Sequence, residues 1–295
     1  MLAIRNLGKT YANGVHALND VTLDIPRGMF GLLGPNGAGK SSLMRTLATL
    51  QEADSGSATL EGANGEIIDV LRDKDAVRRR LGYLPQDFGV YPKVSAEDML
   101  THFAVLKGLI DRKQRREVVD GLLQQVNLWD VRKRKLGTYS GGMRQRFGVA
   151  QALLGNPRLV IVDEPTAGLD PEERNRFLNL LAEIGENVAV ILSTHIVEDV
   201  TDLCPTMAIM NKGQVLLTGK PSDAIAALAN QVWRKQVTKA ALPEYEARHV
   251  VLSTRLVAGR PVIHVFSSEH PGEGFEQVAP NLEDVYFQLL RVQAA

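Results

Sequence analysis

The stretch that decides the fold reads Gly34-Pro35-Asn36-Gly37-Ala38-Gly39-Lys40-Ser41-Ser42, and it satisfies the spacing G-x-x-x-x-G-K-[ST]. An apolar, strand-like segment at 29–33 precedes it, and residues 40–50 after it have the periodicity of a helix. Glycines allow such a loop to turn its backbone N–H groups toward phosphate oxygens, and the helix adds its positive N-terminal end. We therefore predict a nucleotide site in which the Lys40 ammonium reaches the β- and γ-phosphates and the Ser41 hydroxyl binds Mg²⁺.

An acidic pair, Asp163-Glu164, follows an apolar strand-like run at 159–162. A phosphate-bound Mg²⁺ requires a carboxylate at the end of a neighbouring strand, so Asp163 is predicted to hold the metal or its water. If side chains continue to alternate as in a strand, Glu164 points away from Asp163 and is free to polarise the attacking water. A strand that merely ends in an acidic turn is the alternative, and the phosphate loop in the same chain argues against it.

The composition is that of an ordinary soluble globular protein, since 44% of the 295 residues are hydrophobic and 23% are charged. This length allows one large domain and a small one. Basic and acidic side chains balance at 34 each, so the chain lacks the net positive charge that favours general nucleic-acid binding. The single cysteine, Cys204, excludes an intrachain disulfide and a cysteine metal site, which predicts a reducing compartment.

Apolar runs in the sequence, such as 159–162 and 188–192, have the length of strands and fall short of the roughly 18 residues of a membrane span. Residues 1–11 lack the charged lead, apolar centre and cleavage site of a secretory signal. The sequence thus predicts a cytoplasmic protein that does not cross a bilayer by itself.

The secondary-structure pattern changes along the chain. N-terminal strands and turns are followed by a helical region at about 95–125, in which Ser95 and Asp111 are the expected N-caps of two helices. From 159 to 210, strand-like runs alternate with helices, which indicates a parallel sheet covered by helices. Beyond about residue 230, the pattern is typical of a β-hairpin and a closing helix.

A second helix start with paired glycines lies at Tyr139-Ser140-Gly141-Gly142-Met143. Ser140 is a good N-cap and the glycines expose backbone N–H groups, so this segment is a second potential phosphate clamp. One ATP rarely needs two such clamps from a single chain. Here the sequence resembles the ABC ATPases, whose signature is commonly Leu-Ser-Gly-Gly-Gln, and this copy departs from that form at Tyr139 and Met143.

Further landmarks of that family occur in the expected order over about residues 1–225. Gln86 matches the Q-loop, Ala167-Gly168-Leu169-Asp170 matches the D-loop, His195 matches the switch histidine, and Tyr11 lies where the family has an aromatic ring that stacks on adenine. Singly, each has a plain structural alternative: a loop glutamine, a hydrogen-bonded histidine at a strand end, or a turn aromatic. Their common order favours the family interpretation.

The resemblance implies an α/β fold: a P-loop NTPase (RecA-like) parallel sheet with an N-terminal antiparallel β subdomain, a helical signature subdomain and a small C-terminal α+β extension. The ABC ATPase domain is expected at 1–225, with its helical subdomain at about 87–155. A small accessory domain is expected at 230–295, where no motif indicates a role.

The resemblance also implies how the site works, with ATP and Mg²⁺ as cofactors. Two ATP molecules would be sandwiched in a head-to-tail dimer with an identical or paralogous ATPase, each between the Lys40 loop of one subunit and the Ser140 clamp of the other. Water would attack the γ-phosphate in line, polarised by Glu164, while His195 holds that phosphate and Gln86 reports its presence to the partner.

The predicted site residues form three sets. The catalytic residues are Lys40, Gln86, Glu164 and His195. The metal-binding residues are Ser41, Gln86 and Asp163. The nucleotide-binding residues are Tyr11, Gly34, Pro35, Asn36, Gly37, Ala38, Gly39, Lys40, Ser41, Ser42, Ser140, Gly141, Gly142 and Asp170.

Two segments, 84–95 and 280–286, resemble the branch of the family that includes bacterial drug, antibiotic and lipid exporters, in which the ATPase is paired with a separate integral membrane permease. This implies export, with the chain peripheral on the inner face of the cell membrane through the permease. Phe88, Val90 and Tyr91 would receive a short permease helix, and packing in the core is an equal alternative for them. Substrate specificity would reside in the permease.

A soluble ABC ATPase that acts on nucleic acid or ribosomes is the competing class. Such relatives typically carry two ATPase domains or a long coiled-coil insertion, and this chain shows neither. Basic clusters at 78–80, 112–116 and 132–135 are expected to be solvated helix faces or surfaces near anionic lipid. A third class, an inactive regulatory subunit, is disfavoured because the lysine, the two carboxylates and the histidine of the site are all present.

Overall fold

Two sheets and the helices that pack on them make up the first part of the chain. The computed structural model describes residues 1–62, 65–86, 88–166 and 168–293, and the chain divides into one unit at Met1–Val215 and a second at Leu216–Ala295. The elements of the first unit are β1 (Leu2–Thr10), β2 (His16–Ile25), β3 (Gly28–Leu33), α1 (Lys40–Leu47), β4 (Ser55–Glu61), β5 (Ile67–Asp69), α2 (Lys74–Arg80), β6 (Leu81–Leu84), α3 (Ala96–Leu106), α4 (Arg112–Gln125), α5 (Gly141–Leu153), β7 (Leu159–Asp163), α6 (Pro171–Gly185), β8 (Ala189–Thr194), α7 (Val197–Leu203) and β9 (Thr206–Asn211). The boundary between the units falls within β10 (Gln214–Gly219).

The first sheet is antiparallel, with the strand order β2-β1-β4-β5. Its sequence pattern is the alternation of a half-buried strand: in β2, Val21, Leu23 and Ile25 are buried while Thr22 and Asp24 between them are exposed. This is the antiparallel N-terminal subdomain that the sequence predicts.

The second sheet carries the predicted nucleotide site, and its strand order is β10-β9-β3-β8-β7-β6. Strands β6, β7, β8, β3 and β9 run parallel to one another. Every residue of β7 and β8 is buried, which explains their unbroken apolar runs. Because β3, β8 and β7 are adjacent and parallel, the segments that follow them meet at one edge of the sheet.

Local capping fixes the starts of the helices, as the sequence predicts. The Ser95 hydroxyl accepts a hydrogen bond from the Asp98 N–H at 3.1 Å and begins α3, and the Asp111 carboxylate accepts one from the Gln114 N–H at 2.7 Å and begins α4. Helices α3, α4 and α5 pack on one another as a helical subdomain.

The core of the first unit is built from both sheets and from α1, whose Leu43, Met44 and Leu47 are buried in it. A second close contact joins α7 to β3. A Cβ atom at Gly31 of β3 would come within 2.6 Å of the Val200 side chain on α7 and 3.3 Å of the Cys204 Sγ. Glycine at position 31 therefore allows α7 to lie directly on the strand that leads into the phosphate loop.

The second unit is a small antiparallel sheet with helices. Its elements are α8 (Pro221–Ala226), β11 (Val232–Gln236), α9 (Leu242–Arg248), β12 (Val250–Val257), β13 (Arg260–Phe266), β14 (Glu276–Gln277) and α10 (Leu282–Val292), with the strand order β12-β13-β11-β14. Ala258 and Gly259, with φ of 48° and 79°, turn the predicted β12–β13 hairpin. Val251, Ile263 and Val265 form the centre of its core.

The predicted fold class is confirmed: a mixed α/β chain with a parallel sheet, an antiparallel N-terminal sheet, a helical subdomain and a C-terminal α+β unit. The domain boundaries at 225 and 230 stay predictions, while the two compact units meet at residues 215 and 216. Within the described ranges, no helix has the length and apolar character required to cross a bilayer.

Candidate functional site

The glycine-rich loop connects β3 to α1 and is held tightly by its neighbours. Gly39 precedes Lys40, the first residue of α1, with a φ of 102°, and a Cβ atom there would overlap the Ala17 carbonyl oxygen. A Cβ atom at Gly34 would lie 2.5 Å from the Met210 carbonyl oxygen. Both positions therefore require glycine, because other backbone segments approach them closely. Gly39 requires it also for its left-handed backbone.

Lys40 is buried in this loop, with 6% of its surface exposed. Its ammonium donates hydrogen bonds to the carbonyl oxygens of Gly34, at 2.6 Å, and Pro35, at 3.3 Å. Burial lowers the pKa of Lys40, and the charges of Glu164 and Asp163 act in the opposite direction. The loop thus holds a buried cation where a nucleotide phosphate would lie.

Asp163 ends strand β7 and is buried. Burial raises the pKa of its carboxyl group, and the neighbouring charge of Glu164 adds to this effect. The Ser193 hydroxyl, buried at the paired position on the adjacent strand β8, acts in the opposite direction, because a hydrogen bond to the carboxyl group lowers its pKa. Asp163 is thus a buried carboxylate, the kind of oxygen donor that Mg²⁺ prefers.

Glu164 lies just beyond β7 and has a φ of 49°. Its orientation is therefore set by a left-handed backbone rather than by the strand alternation expected from the sequence. A hydrogen bond from the Glu164 N–H to the Ser193 carbonyl oxygen, at 2.9 Å, ties this residue to β8. A non-glycine residue in this conformation stores strain, and such residues cluster at functional sites.

His195 follows β8 and meets Glu164 directly. The His195 Nδ1 atom lies 2.6 Å from Glu164 Oε2, and the Lys40 Nζ atom lies 3.9 Å from Glu164 Oε1. Glu164 is buried while 57% of the His195 side chain is exposed. Three predicted catalytic residues, which are distant in sequence, are thus brought together at the carboxyl ends of β3, β7 and β8.

These residues face a cleft of about 370 Å³. Its lining comprises Tyr11, Val15, Ala17, Pro35, Asn36, Gly37, Ala38, Gly39, Lys40, Ser41, Ser42, Gln86, Glu164 and His195. Most of the predicted nucleotide-binding and catalytic residues are among them. Five predicted residues lie outside this lining, namely Gly34, Ser140, Gly141, Gly142 and Asp170, and so does the predicted metal ligand Asp163.

Tyr11 lines the cleft, and its hydroxyl group is anchored to the α1 region. It lies 2.9 Å from Ser42 Oγ and donates a hydrogen bond to Gln51 Oε1 at 3.0 Å. The Gln51 amide group in turn donates to the Ser42 carbonyl oxygen and to Thr46 Oγ1. The ring of Tyr11 is therefore fixed beside the phosphate loop. Gln51 was not identified from the sequence, where nothing distinguishes it from an ordinary glutamine after a helix.

The predicted second clamp forms the start of α5. The Ser140 hydroxyl accepts a hydrogen bond from the Met143 N–H at 3.2 Å, which confirms it as the N-cap, and Ser140 and Gly141 are exposed. The departure from the family signature at Tyr139 has a structural reason. Tyr139 is buried and its phenol group donates to the Val131 carbonyl oxygen at 3.0 Å. Burial raises the pKa of that phenol group.

An ion pair between Arg146 of α5 and Glu173 of α6 joins the signature helix to the helix after the predicted D-loop. Asp170 is the N-cap of α6, because its carboxylate accepts a hydrogen bond from the Glu173 N–H at 2.9 Å. The remaining D-loop residue of interest, Ala167, lies outside the described residues. Asp170 is exposed, which suits a residue that acts on a second subunit.

A magnesium ion fits the donors that the site offers. Ser41, Gln86 and Asp163 supply hydroxyl, amide and carboxylate oxygens, which Mg²⁺ prefers. No cluster of three or more histidine, cysteine or acidic side chains that could hold a metal occurs among the described residues. This sparse donor set suits a metal that is bound largely through phosphate oxygens.

Comparison with known proteins agrees with this geometry. A family model described as "ABC transporter" matches residues 18–167. The chain is 32% identical to the uncharacterized ABC transporter ATP-binding protein YxlF of Bacillus subtilis, over 98% of this chain and 99% of that protein. It is 35% identical to the daunorubicin/doxorubicin resistance ATP-binding protein DrrA of Streptomyces peucetius, over 77% of this chain and 68% of that protein.

Solved structures show the same fold. One is a dimeric, post-hydrolysis state of the ATP-binding cassette MJ0796 bound to ADP and Pi, with 25% identity and a TM-score of 0.65 over 75% of this chain and 98% of that one. Another is cbiO1 from Clostridium perfringens, part of an ABC transporter complex, with 26% identity and a TM-score of 0.67 over 84% of this chain and 94% of that one. With the phosphate loop, Glu164 and His195 in one cleft, these matches place the chain in the ABC transporter family as one of its ATP-binding proteins.

Proposed function

We propose that this chain hydrolyses Mg²⁺-ATP in the cleft beside Lys40 and uses the reaction to drive a separate membrane permease that exports its substrate. The observation that carries the proposal is the convergence of Lys40, Glu164 and His195 at the end of the parallel sheet. An inactive nucleotide-binding subunit has no need of a strained, buried carboxylate at that point.

The loop residues would bind the triphosphate through their backbone N–H groups, and the Lys40 ammonium would redirect its hydrogen bonds from loop carbonyl oxygens to phosphate oxygens. Ser41, Gln86 and Asp163 would hold Mg²⁺, directly or through water. When bound, the metal ion neutralises charge on the β- and γ-phosphates. The Tyr11 ring would stack on adenine from the position that its hydroxyl contacts fix.

Glu164 would accept a hydrogen bond from the attacking water and align it with the γ-phosphate. His195 lies within hydrogen-bond distance of the Glu164 carboxylate and remains largely exposed on the cleft side. It would orient that carboxylate and contact the γ-phosphate.

A second subunit would complete each site. The exposed Ser140 and Gly141 do not line the cleft of their own chain, so the N–H group of Gly141 at the start of α5 would be available to a nucleotide on another chain. The dimeric form of the ADP-bound relative MJ0796 supports this arrangement. The partner in the dimer would be an identical chain or a paralogous ATPase.

A groove in the first unit would receive a short permease helix. It has a volume of about 630 Å³, and its lining includes Tyr83, Phe103, Leu106 and Gln151. Leu106 is 70% exposed, and so large an exposed apolar side chain in a groove favours a protein partner. The residues that the sequence assigned to the permease helix do not line this groove: Tyr91 is exposed, while Phe88 and Val90 are half-buried.

Resistance proteins such as DrrA support export as the direction. The chain would then lie on the inner face of the cell membrane through its permease. The nucleic-acid alternative has no support among the relatives compared. Several basic side chains that could have formed a nucleic-acid surface are instead bonded within the chain. Arg80 pairs with Glu66, Arg115 donates to the Leu109 and Ile110 carbonyl oxygens, and Arg132 stacks on Trp129.

The test is a capture experiment with matched surface variants. The Glu164→Gln chain is purified from its host in mild detergent with ATP, and co-purifying proteins are quantified by mass spectrometry. We expect a near-stoichiometric membrane protein with several spans, which is lost in Leu106→Glu. Ile67→Glu is the control, because Ile67 is exposed to a similar extent, 67%, on the antiparallel sheet. Recovery of ribosomes or nucleic acid without a membrane protein, or equal capture by both variants, contradicts the proposal.

A further inference from the structure

Asp199 on α7 is a fully buried carboxylate with 0% exposure, and sequence analysis gave no reason to select it. A buried charge is unfavourable unless it is paired and hydrogen-bonded. Both of its oxygens are satisfied. Asp199 Oδ1 accepts a hydrogen bond from Arg174 Nε at 3.0 Å and forms an ion pair with the same guanidinium group, and Asp199 Oδ2 accepts one from Thr166 Oγ1 at 2.9 Å.

The two partners come from the segment that follows Glu164. Thr166, also buried, is two residues beyond Glu164, and Arg174 lies in the first turns of α6. Asp199 itself is four residues beyond His195. One carboxylate thus joins the chain after β7, which carries Glu164, to the chain after β8, which carries His195.

The other side of α7 is fixed as well. Val200, the next residue, is buried against Gly31 of β3, and Cys204 lies close to the same glycine. Burial, together with the charge of Asp199, raises the pKa of the Cys204 thiol to about 12. Because β3 leads into the phosphate loop, α7 is held between that strand and the Thr166–Arg174 pair. The spacing between Glu164 and His195 then depends on the Asp199 contacts.

We propose that Asp199 is a positioning residue for ATP hydrolysis: it holds Thr166 and Arg174 so that Glu164 keeps its left-handed backbone and its 2.6 Å contact with His195. The inference rests on the proposed role of Glu164. It assigns Asp199 to the turnover step rather than to nucleotide binding, since neither Asp199 nor its partners line the cleft.

The test compares turnover with affinity in the full-length chain. We expect Asp199→Asn to lower kcat by roughly 10- to 100-fold, because a small displacement of a catalytic group has effects of that size. The Kd of a non-hydrolysable ATP analogue should change by less than about threefold. Asp284→Asn, at a carboxylate of the second unit that is 1% exposed, is the matched control and should leave kcat unchanged.

Two conservative substitutions of Thr166 test the inference if Asp199→Asn does not fold. Thr166→Val removes the hydroxyl group at nearly constant volume and should lower kcat about tenfold, whereas Thr166→Ser keeps the hydroxyl group and should stay within about twofold of the native chain. Folding of each variant is checked by circular dichroism.

Two results overturn the inference alone: native kcat in folded Asp199→Asn and Thr166→Val, or a loss of kcat that is matched by an equal loss of analogue affinity. Glu164→Gln is measured in parallel. If it retains native turnover, the proposed role of Glu164 fails and this inference fails with it. If Glu164→Gln is inactive while the Asp199 and Thr166 variants are fully active, only the positioning role is wrong.

Discussion

Two histidine–carboxylate pairs, one in each unit, have nearly the same contact distance but different surroundings. His195 Nδ1 lies 2.6 Å from Glu164 in the first unit, and His264 Nδ1 lies 2.8 Å from Asp284 in the second. Asp284 also forms a capping box with Asn281 at the start of α10, so both of its oxygens are engaged in regular structure. The contact distance alone therefore does not mark a catalytic site.

The surroundings separate the two pairs. Glu164 has a left-handed backbone, a buried lysine 3.9 Å away and a cleft in front of it. His264 belongs to a regular strand and Asp284 to the first turn of a helix. A pair that is held in strained backbone beside open space can act on a ligand, while a pair in regular elements stabilises the fold.

The largest expected contrast is in turnover. Glu164→Gln should lower kcat by about 1,000-fold, because it removes the base that aligns the water, and it should keep ATP binding. Asp284→Asn should leave kcat unchanged. Phosphate release measures turnover, and equilibrium binding of a fluorescent ATP analogue measures affinity. Native turnover in Glu164→Gln would show that the first pair is structural as well.

Replacing the histidines tests the other half of each pair. His195→Ala should lower kcat by about 100-fold, since the loss of one group that stabilises the transition state has this magnitude. Its effect on stability should be small, because the His195 side chain is 57% exposed and Glu164 keeps Lys40 at 3.9 Å. His264→Ala should leave kcat unchanged and lower the free energy of unfolding by about 2 kcal/mol, because it removes a partner of a buried carboxylate. Urea denaturation and phosphate release distinguish these outcomes. A stability loss for His195→Ala as large as that for His264→Ala would remove the contrast.

The smallest expected effect is on the free energy of unfolding when either of two buried aspartates is replaced. The change should have opposite signs for Asp163 and Asp284. Burial raises the pKa of Asp163, so its charge destabilises the folded chain above the folded-state pKa. Asp163→Asn should therefore raise the free energy of unfolding at pH 7 by about 1 kcal/mol, or roughly 2–4 °C in Tm, in the absence of Mg²⁺. Asp284→Asn should lower it by about 1 kcal/mol, since it weakens a helix cap.

The pH dependence of the stability difference between Asp163→Asn and the native chain tests the predicted sign of the Asp163 effect. A carboxyl group with a raised folded-state pKa loses its unfavourable charge as the pH falls through that pKa, so the advantage of Asp163→Asn should shrink toward pH 4. Urea denaturation of Asp163→Asn and of the native chain, at pH 7 and at pH 4, measures this stability advantage. An advantage that grows on acidification would mean that the Asp163 charge stabilises the folded chain.

Sequence reasoning succeeded where the determinants are local. The phosphate loop and the helix starts at Ser95, Asp111 and Ser140 depend on residues within a few positions of one another, and the structure places them as predicted. The family resemblance assigned Glu164 and His195 to one phosphate site, and the structure brings their side chains to 2.6 Å from each other.

Other features depend on contacts between distant segments, and the sequence does not reveal them. Asp199 bonds to residues 33 and 25 positions away, and Tyr11 bonds to Gln51 across 40. The condition on which the orientation of Glu164 was predicted, that strand alternation continues past Asp163, is not met, because β7 ends at Asp163 and Glu164 has a left-handed backbone. Such features arise from how elements pack, which local patterns do not encode.

The single cysteine makes the chain a convenient starting point for spectroscopy. Cys204 is buried directly after α7, and burial raises its thiol pKa to about 12, so it stays protonated and unreactive toward maleimides at neutral pH while the protein is folded. A cysteine introduced on the surface away from the site, for example at the exposed Ser57 of β4, would take a dye or spin label alone. Distances between two labelled copies could then be followed during ATP turnover without first removing a native thiol.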